Sequence, residues 1–259
     1  MKSFFRMSYP YILWIGIFIV APMLMILLYA FTTAGNSTLT FLFTLDNFTR
    51  FFSDPDYMRV LLVSLRIALI TTVFCLLIGY PAALIIANLS DRVQTMMILL
   101  LTLPMWINVL LKTYAWRGIL LNFDFNSETK VFIGMVYDFL PFMIIQIHTA
   151  IAKLDPNLLI AAKDLGANNV KSFLKVTLPL SIPGIISGIT LVFLPAVSSF
   201  VIPKMLGGGE YVLIGNLIEM YFLQTGDWNM GSAISLIMAM VIITAMWATR
   251  KMDRSAQED

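Results

Sequence analysis

The chain has 259 residues, 59% of them hydrophobic and only 12% charged, and its mean hydropathy is +0.85. That much apolar surface excludes a water-soluble globular domain, and a net charge of +2 is too small to point to nucleic acid. One cysteine, Cys75, excludes an intrachain disulfide and a cysteine-rich metal site, so the bilayer is the solvent to reason with.

Runs of about 20 apolar residues cross a bilayer roughly 30 Å thick. The first such run is Tyr9 to Phe31, preceded by Lys2 and Arg6. It is too long for a signal-peptide core and is expected to remain as a helix. A polar segment from Thr32 to Tyr57 follows, then a second span from Met58 to Leu84, which Tyr80-Pro81 is expected to end or kink. The short turn Asn88-Leu89-Ser90-Asp91-Arg92 leads to a third span, Thr95 to Ile119. After a polar loop from Asn122 to Lys130 comes a fourth span, Val131 to Ala152, with Pro141 inside it.

The longest polar and basic interruption of the second half then runs from Asp155 to Pro183. Asp155 suits an N-cap and Pro156 the first helical position, where a missing N–H costs nothing. Gly166 suits the left-handed position that closes a helix. Asn168 or Asn169 can cap a second short helix, limited by Pro179 and Pro183. The stretch reads as two helices joined by a hinge. A fifth span, Ile182 to Ile202, is interrupted by Pro195; Gly184, Ser187 and Gly188 in it allow close helix contact. Gly207-Gly208-Gly209 opens a mixed loop with an amphipathic piece from Val212 to Phe222, and the sixth span is Met230 to Ala248.

Six spans place both termini on one side. On that side fall Lys2, Arg6, Arg92, Lys153, Lys163, Lys171, Lys175, Arg250, Lys251 and Arg254; the opposite loops hold only Arg50, Arg59, Lys130 and Lys204. Basic residues collect in cytoplasmic loops, so the termini and the Asp155 hairpin are expected in the cytoplasm. The fold class expected is all-α, a polytopic membrane protein of six helices, and residues 1–259 are expected to form one transmembrane domain.

Few residues invite chemistry. His148 is the lone histidine, with no second His or Cys beside it, and fits a packing role better than a metal site. Arg66, Lys112 and Arg117 lie in or near span ends, where snorkelling is the plain account. Gly207-Gly208-Gly209 lacks the Lys-Ser or Lys-Thr of a phosphate loop, so any ATP-driven work needs another chain. No catalytic constellation and no cofactor is expected. Trp106 and Tyr114, eight residues apart on the third span, are expected to share a face, with Asp138 toward the outer part of the fourth span and Asp227-Trp228 at the outer mouth. Two readings fit them. They line a path for a cation; or the aromatics form an interfacial belt and Asp138 pairs with Lys112 or Arg117. Lys204 near the outer mouth would repel a cation unless paired.

The hairpin also carries a resemblance. Ala161-Ala162-Lys163-Asp164-Leu165-Gly166, then Leu178-Pro179 after a spacer, resembles the cytoplasmic coupling loop of ABC-importer permeases, with Ile160 where that family usually has Glu. Leu103-Pro104-Met105-Trp106, Tyr114-Ala115-Trp116, Leu140-Pro141-Phe142-Met143 and Leu213-Ile214-Gly215-Asn216 are similar to motifs of the spermidine/putrescine-type permeases, over nearly the whole chain. The resemblance implies a type I importer permease in a bacterial inner membrane. It implies coupling to an ATPase through residues 155–179, with Ala161, Ala162, Asp164, Leu165, Gly166, Leu178 and Pro179 at the motif positions. The implied partners are two ABC ATPase subunits, a second and different permease, and an extracytoplasmic substrate-binding protein. The alternatives are the same architecture for iron, thiamine or another organic cation, and an ATPase-independent carrier or channel subunit.

Overall fold

Five of the helices that follow the first span begin on an Asp or Asn whose side chain accepts a backbone N–H of the first turn. The computed structural model describes residues 10–33 and 42–258, the side chains of 252–258 excepted. Lys2, Arg6 and the Arg254 side chain, counted above among the basic residues, lie outside the described residues. The helices are α1 (Pro10–Ala30), α2 (Asp46–Ser53), α3 (Pro55–Ala87), α4 (Asp91–Trp106), α5 (Val109–Leu120), α6 (Ser127–Ala152), α7 (Pro156–Asp164), α8 (Asn169–Ser198), α9 (Val201–Leu206), α10 (Ile214–Met220) and α11 (Trp228–Glu258). The described residues contain no sheet, only one isolated antiparallel bridge between Thr32 and Phe43. Asp54 caps α3, Asn108 caps α5, Asn126 caps α6, Asp155 caps α7 and Asn168 caps α8, each accepting an N–H of the first turn at 2.8–2.9 Å. A polar oxygen there satisfies one of the donors a helix leaves orphaned.

Five helices are long and apolar enough to cross a membrane: α1, α3, α6, α8 and α11 up to Lys251. The sixth span is α4 with α5, and it is broken: the two halves meet at 94° across Ile107 and Asn108. The sequence reading of one straight third span is corrected here. Pro104 lies just ahead of the break, Ile107 is extended (ψ 136°), and the Asn108 side chain starts a new helix by capping Leu110. A residue that offers the backbone an alternative hydrogen bond favours such a restart.

Three expected stops are not stops. Pro81 lies inside α3, which continues to Ala87; Tyr80 beside it is held by a 2.8 Å bond to Ser181 and by ring contact with Phe173. Pro179 and Pro183 lie inside α8, so the second arm of the hairpin is the start of the fifth span itself. A π-turn, Phe173–Thr177, sits directly ahead of Pro179, with Leu178 N–H bonded back to the Phe173 carbonyl. It shifts the hydrogen-bond register, and Pro179 occupies one of the first positions of the α-helical run beyond it, where a missing N–H costs least. Pro195 likewise leaves the helix unbroken to Ser198.

The centre is a triangle of α3, α6 and α8, with α11 against α8, α1 on the outside of α11, and α4 and α5 on the far side against α6 and α9. Lipid is as apolar as leucine, so contact between spans rests on close packing rather than on escape from water. Small residues supply it. A methyl placed on Gly188 would stand 2.6 Å from Met143 Sδ, and one on Gly184 would stand 2.9 Å from the Gln146 carbonyl. Met135, Met143, Ile147, Ile67 and Val192 fill the centre at 0–1% exposure.

The exposed first span is tied on by its last turn. Asn47 donates to the carbonyls of Ala30 (3.1 Å) and Thr32 (3.0 Å). Asn229 donates to the carbonyls of Tyr29 (3.0 Å) and Thr32 (2.8 Å) and to Thr32 Oγ1 (2.9 Å). Two buried amides thus hold the carbonyls that the end of α1 leaves open.

Candidate coupling hairpin and solute path

The hairpin is built as its sequence dictates. Asp155 Oδ1 accepts the Asn157 N–H at 2.9 Å, with Pro156 at the first position of α7. Gly166 has φ +80°; its N–H bonds the Lys163 carbonyl at 2.9 Å, and Ala167 N–H bonds the Ala162 carbonyl at 3.0 Å. That pair of bonds around a left-handed glycine is the Schellman closure of a helix. Two residues on, Asn168 caps the next helix through Lys171 N–H.

The coupling residues fall on two sides of this hairpin. Ala161, Asp164, Leu165 and Gly166 are exposed, as are Leu158, Ile160, Val170 and Leu174; Leu165 is 90% exposed. Leu159 and Ala162 are half-buried, and Leu178 and Pro179 lie where the hairpin enters the span. The apolar residues therefore do not all turn inward; several form an uncovered surface next to Lys163 and Lys171. Among the described residues, the Lys163 side chain has no ion-pair partner. A short polar turn with so much exposed aliphatic surface has the character of a contact face.

Behind the hairpin, a cavity of about 670 Å³ separates it from the turn after α3, with Asn88, Asp91, Gln94, Lys163 and Ser172 on its wall. Gln94 is hydrogen-bonded to His148 at 2.6 Å, joining α4 to α6. The histidine thus serves a polar contact between helices. Tyr80 stands at the root of the hairpin, its hydroxyl 2.8 Å from Ser181 Oγ and its ring edge-on to Phe173 at 5.7 Å.

The residues assigned to a solute path are scattered. Trp106 ends α4 and is 87% exposed; Tyr114 lies on α5 and is 55% exposed. They do not share a helix face, because the 94° break falls between them. Eight residues of continuous helix would have aligned them; the restart at Asn108 does not. Asp138 is bonded to Lys112, an ion pair with side chains 16% and 11% exposed. Lys112 is therefore largely covered and paired, as the second reading of Asp138 expected, rather than snorkelling to the surface. Asp138 is twelfth of the 26 residues of α6 (127 to 138) and eighth from Val131, in the half of the span nearer Asn126. Arg66 reaches Glu128, and Lys204 is paired with Glu219, which cancels its repulsion of a cation.

Asp227 caps α11 by accepting the Met230 N–H at 3.0 Å, just after Gly226 with φ +69°. Trp228, half-exposed, packs edge-on against Phe222 at 5.6 Å and near Tyr29 at 6.1 Å. Next to them Tyr57 and Tyr221 share a hydroxyl–hydroxyl bond, and burial pushes the Tyr221 hydroxyl up to about 12, with the Tyr57 bond adding to it. Ser64 ties the short α10 to α3: its hydroxyl accepts the Ile214 N–H at 2.8 Å and donates to the Val60 carbonyl at 2.7 Å. Sequence reasoning missed Trp116 and Tyr137, whose rings meet edge to face at 5.0 Å beside Lys112. Their contact joins two helices, and no local pattern announces it.

Comparison with known proteins agrees with this architecture. Residues 76–257 match the family model of the binding-protein-dependent transport system inner membrane component. The chain is 37% identical to the spermidine/putrescine transport system permease protein PotB of Escherichia coli K12, over 94% of this chain and 97% of that protein. It is 38% identical to PotB of Haemophilus influenzae, over 94% and 93%. A crystal structure of a bacterial ABC transporter that imports the acidic polysaccharide alginate shares the fold at TM-score 0.75 and 17% identity, over 98% of this chain and 96% of that one. The chain belongs to the family of binding-protein-dependent transport system inner membrane components, as a multi-pass permease subunit of an ATP-driven ABC importer.

Proposed function

We propose that this permease imports polyamines, spermidine or putrescine, by alternating access. It works beside a second, different permease, two ABC ATPase subunits and an extracytoplasmic binding protein. Identity of 37–38% to PotB proteins over 94% of the chain supports the solute. The chain contributes no catalytic residues; hydrolysis belongs to the ATPase subunits. Residues 1–259 act as one transmembrane domain. The asymmetry of its basic residues supports a cytoplasmic side for both termini and the hairpin.

The observation that carries the coupling role is the exposed aliphatic surface of the hairpin, above all Leu165 at 90% exposure. In this reading Ala161, Ala162, Asp164, Leu165 and Gly166 seat against an ATPase subunit. Leu178 and Pro179 pass its movement straight into the fifth span, because α8 is continuous from Asn169 to Ser198. Trp106, Tyr114, Asp138, Asp227 and Trp228 serve the solute path at different depths.

The test is reconstitution of the four-component system in proteoliposomes with radiolabelled spermidine and putrescine. ATP-dependent uptake of either supports the solute; a fully assembled system that ignores both overturns it. Leu165→Asp alters no internal contact, so it should leave the permease folded and weaken its hold on the ATPase subunits by about tenfold or more, as for an exposed anchor residue. Undiminished co-purification would remove the docking role.

A further inference from the structure

A charged pair inside a membrane span is poor glue. Withdrawing two charges from water costs about as much as their attraction returns, and an apolar pair of similar size would hold two helices as well or better. Lys112 and Asp138 are such a pair, 11% and 16% exposed, with Asp138 twelfth of 26 residues along α6, roughly 17 Å from its outer end. A purpose beyond packing is called for.

The surroundings suggest one. A cavity of about 390 Å³ opens beside Lys112, with Ile107, Leu111, Trp116 and Tyr137 on its wall. Trp116 and Tyr137 meet at 5.0 Å, edge to face. Lys112 lines this cavity and holds Asp138 by its ammonium, so an organic ammonium entering there meets two aromatic rings and, through the place Lys112 occupies, a carboxylate; rings attract a cation and the acid neutralises it. Lys112 is itself a primary ammonium on a flexible stem. It sits on α5, just past the 94° break at Ile107 and Asn108, so the half-helix that carries it is joined to α4 only by extended backbone. Broken spans of this kind put binding groups near mid-membrane.

Resting on the polyamine reading, we propose that Asp138, Trp116 and Tyr137 form the subsite for one primary ammonium end of the solute, and that Lys112 fills it as a resident surrogate until the solute displaces it. The exchange swaps one ammonium for another on the same carboxylate, so Asp138 is never left buried and unpaired. A neutral or anionic solute cannot make the exchange, and the site selects for charge by that means. The aromatic partners are Trp116 and Tyr137 rather than Trp106 and Tyr114, which the helix break separates.

The test uses the permease–ATPase complex in nanodiscs, with direct spermidine binding, and the full system in proteoliposomes, with uptake. In Lys112→Met the competitor is gone. A surrogate seated nine-tenths of the time lowers apparent affinity about tenfold, so this variant should bind spermidine about tenfold more tightly than wild type. Asp138→Asn should lose binding. The double variant Lys112→Met/Asp138→Asn buries no unpaired charge and keeps the packing, so it assembles, and assembly is read by size-exclusion chromatography. It should nevertheless fail to take up spermidine. If the double variant transports at the wild-type rate, or if Lys112→Met binds no more tightly, the pair is structural and the subsite is refuted while the polyamine reading stands. If the assembled wild-type system takes up no polyamine, that reading fails, and the ligand assigned here fails with it.

Discussion

Replacing Gly166 by valine tests whether the hairpin acts as a rigid lever. The residue sits at φ +80°, and no atom lies within 4 Å of the position a Cβ would take. The substitution therefore meets no steric clash, and its cost is backbone strain alone: about 1–3 kcal/mol for a β-branched residue held in the left-handed region. The chain can relieve that strain by opening the closure of α7. It would give up the Gly166–Lys163 and Ala167–Ala162 bonds, each worth roughly 0.5–1.5 kcal/mol net. Strain and relief are of similar size, so the hinge should populate an opened form without unfolding the spans, none of whose residues change. Spermidine uptake and substrate-stimulated ATP hydrolysis should fall together, while the amounts of inserted permease and assembled complex stay the same. Gly166→Asn is the control, because asparagine tolerates a left-handed conformation; it should retain most of the coupling. Full transport by an assembled Gly166→Val complex would show that the left-handed hinge is not needed, and the lever account would fall.

Other outcomes are equally specific. In a Cys75→Ala background, single cysteines at Asn168 should react with an impermeant maleimide only from the cytoplasmic side, and those at Asn126 and Gly208 only from outside; labelling of Asn168 in intact cells would reverse the topology. Asn229→Ala leaves the Tyr29 and Thr32 carbonyls short of their shared donor, and should cost about 1–3 kcal/mol and loosen the first span. Faster proteolysis or higher amide exchange around residues 28–33 would register it, and unchanged exchange would count against the latch. Gly188→Val drives a branched side chain into Met143, and overpacking of this kind costs about 1–3 kcal/mol; the thermal midpoint of the complex in detergent should drop, whereas Gly16→Val on the open face of the first span should leave it in place. Trp106→Ala, at the exposed end of α4, should lower spermidine uptake with assembly intact; normal uptake would remove it from the path.

The chain by itself determined whatever depends on near neighbours in sequence. Span number follows from the length of apolar runs, because a bilayer of fixed thickness reads only that length. The start and the turn of the hairpin were legible, with the cap left between Asn168 and Asn169, but its far end was not. An Asp-Pro start, a left-handed Gly and an Asn cap each act within four or five positions, so Asp155, Gly166 and Asn168 do in the fold what their types dictate. No helix ends at Pro81, Pro179 or Pro183, because whether a proline stops a helix is not a local matter. Pro81 and Pro179 remove one N–H each, and whether a helix ends there depends on what else holds it, here Ser181 and Phe173 on Tyr80 and a π-turn ahead of Pro179. The solute path was the least legible part. Trp106 and Tyr114 looked aligned only while the third span was taken as straight. The partners of the proposed ammonium subsite are 26 residues apart for Lys112 and Asp138, and 21 apart for Trp116 and Tyr137 (137 less 116). Such pairings are set by how helices cross, and packing of one span on another decides that, not the pattern along either one.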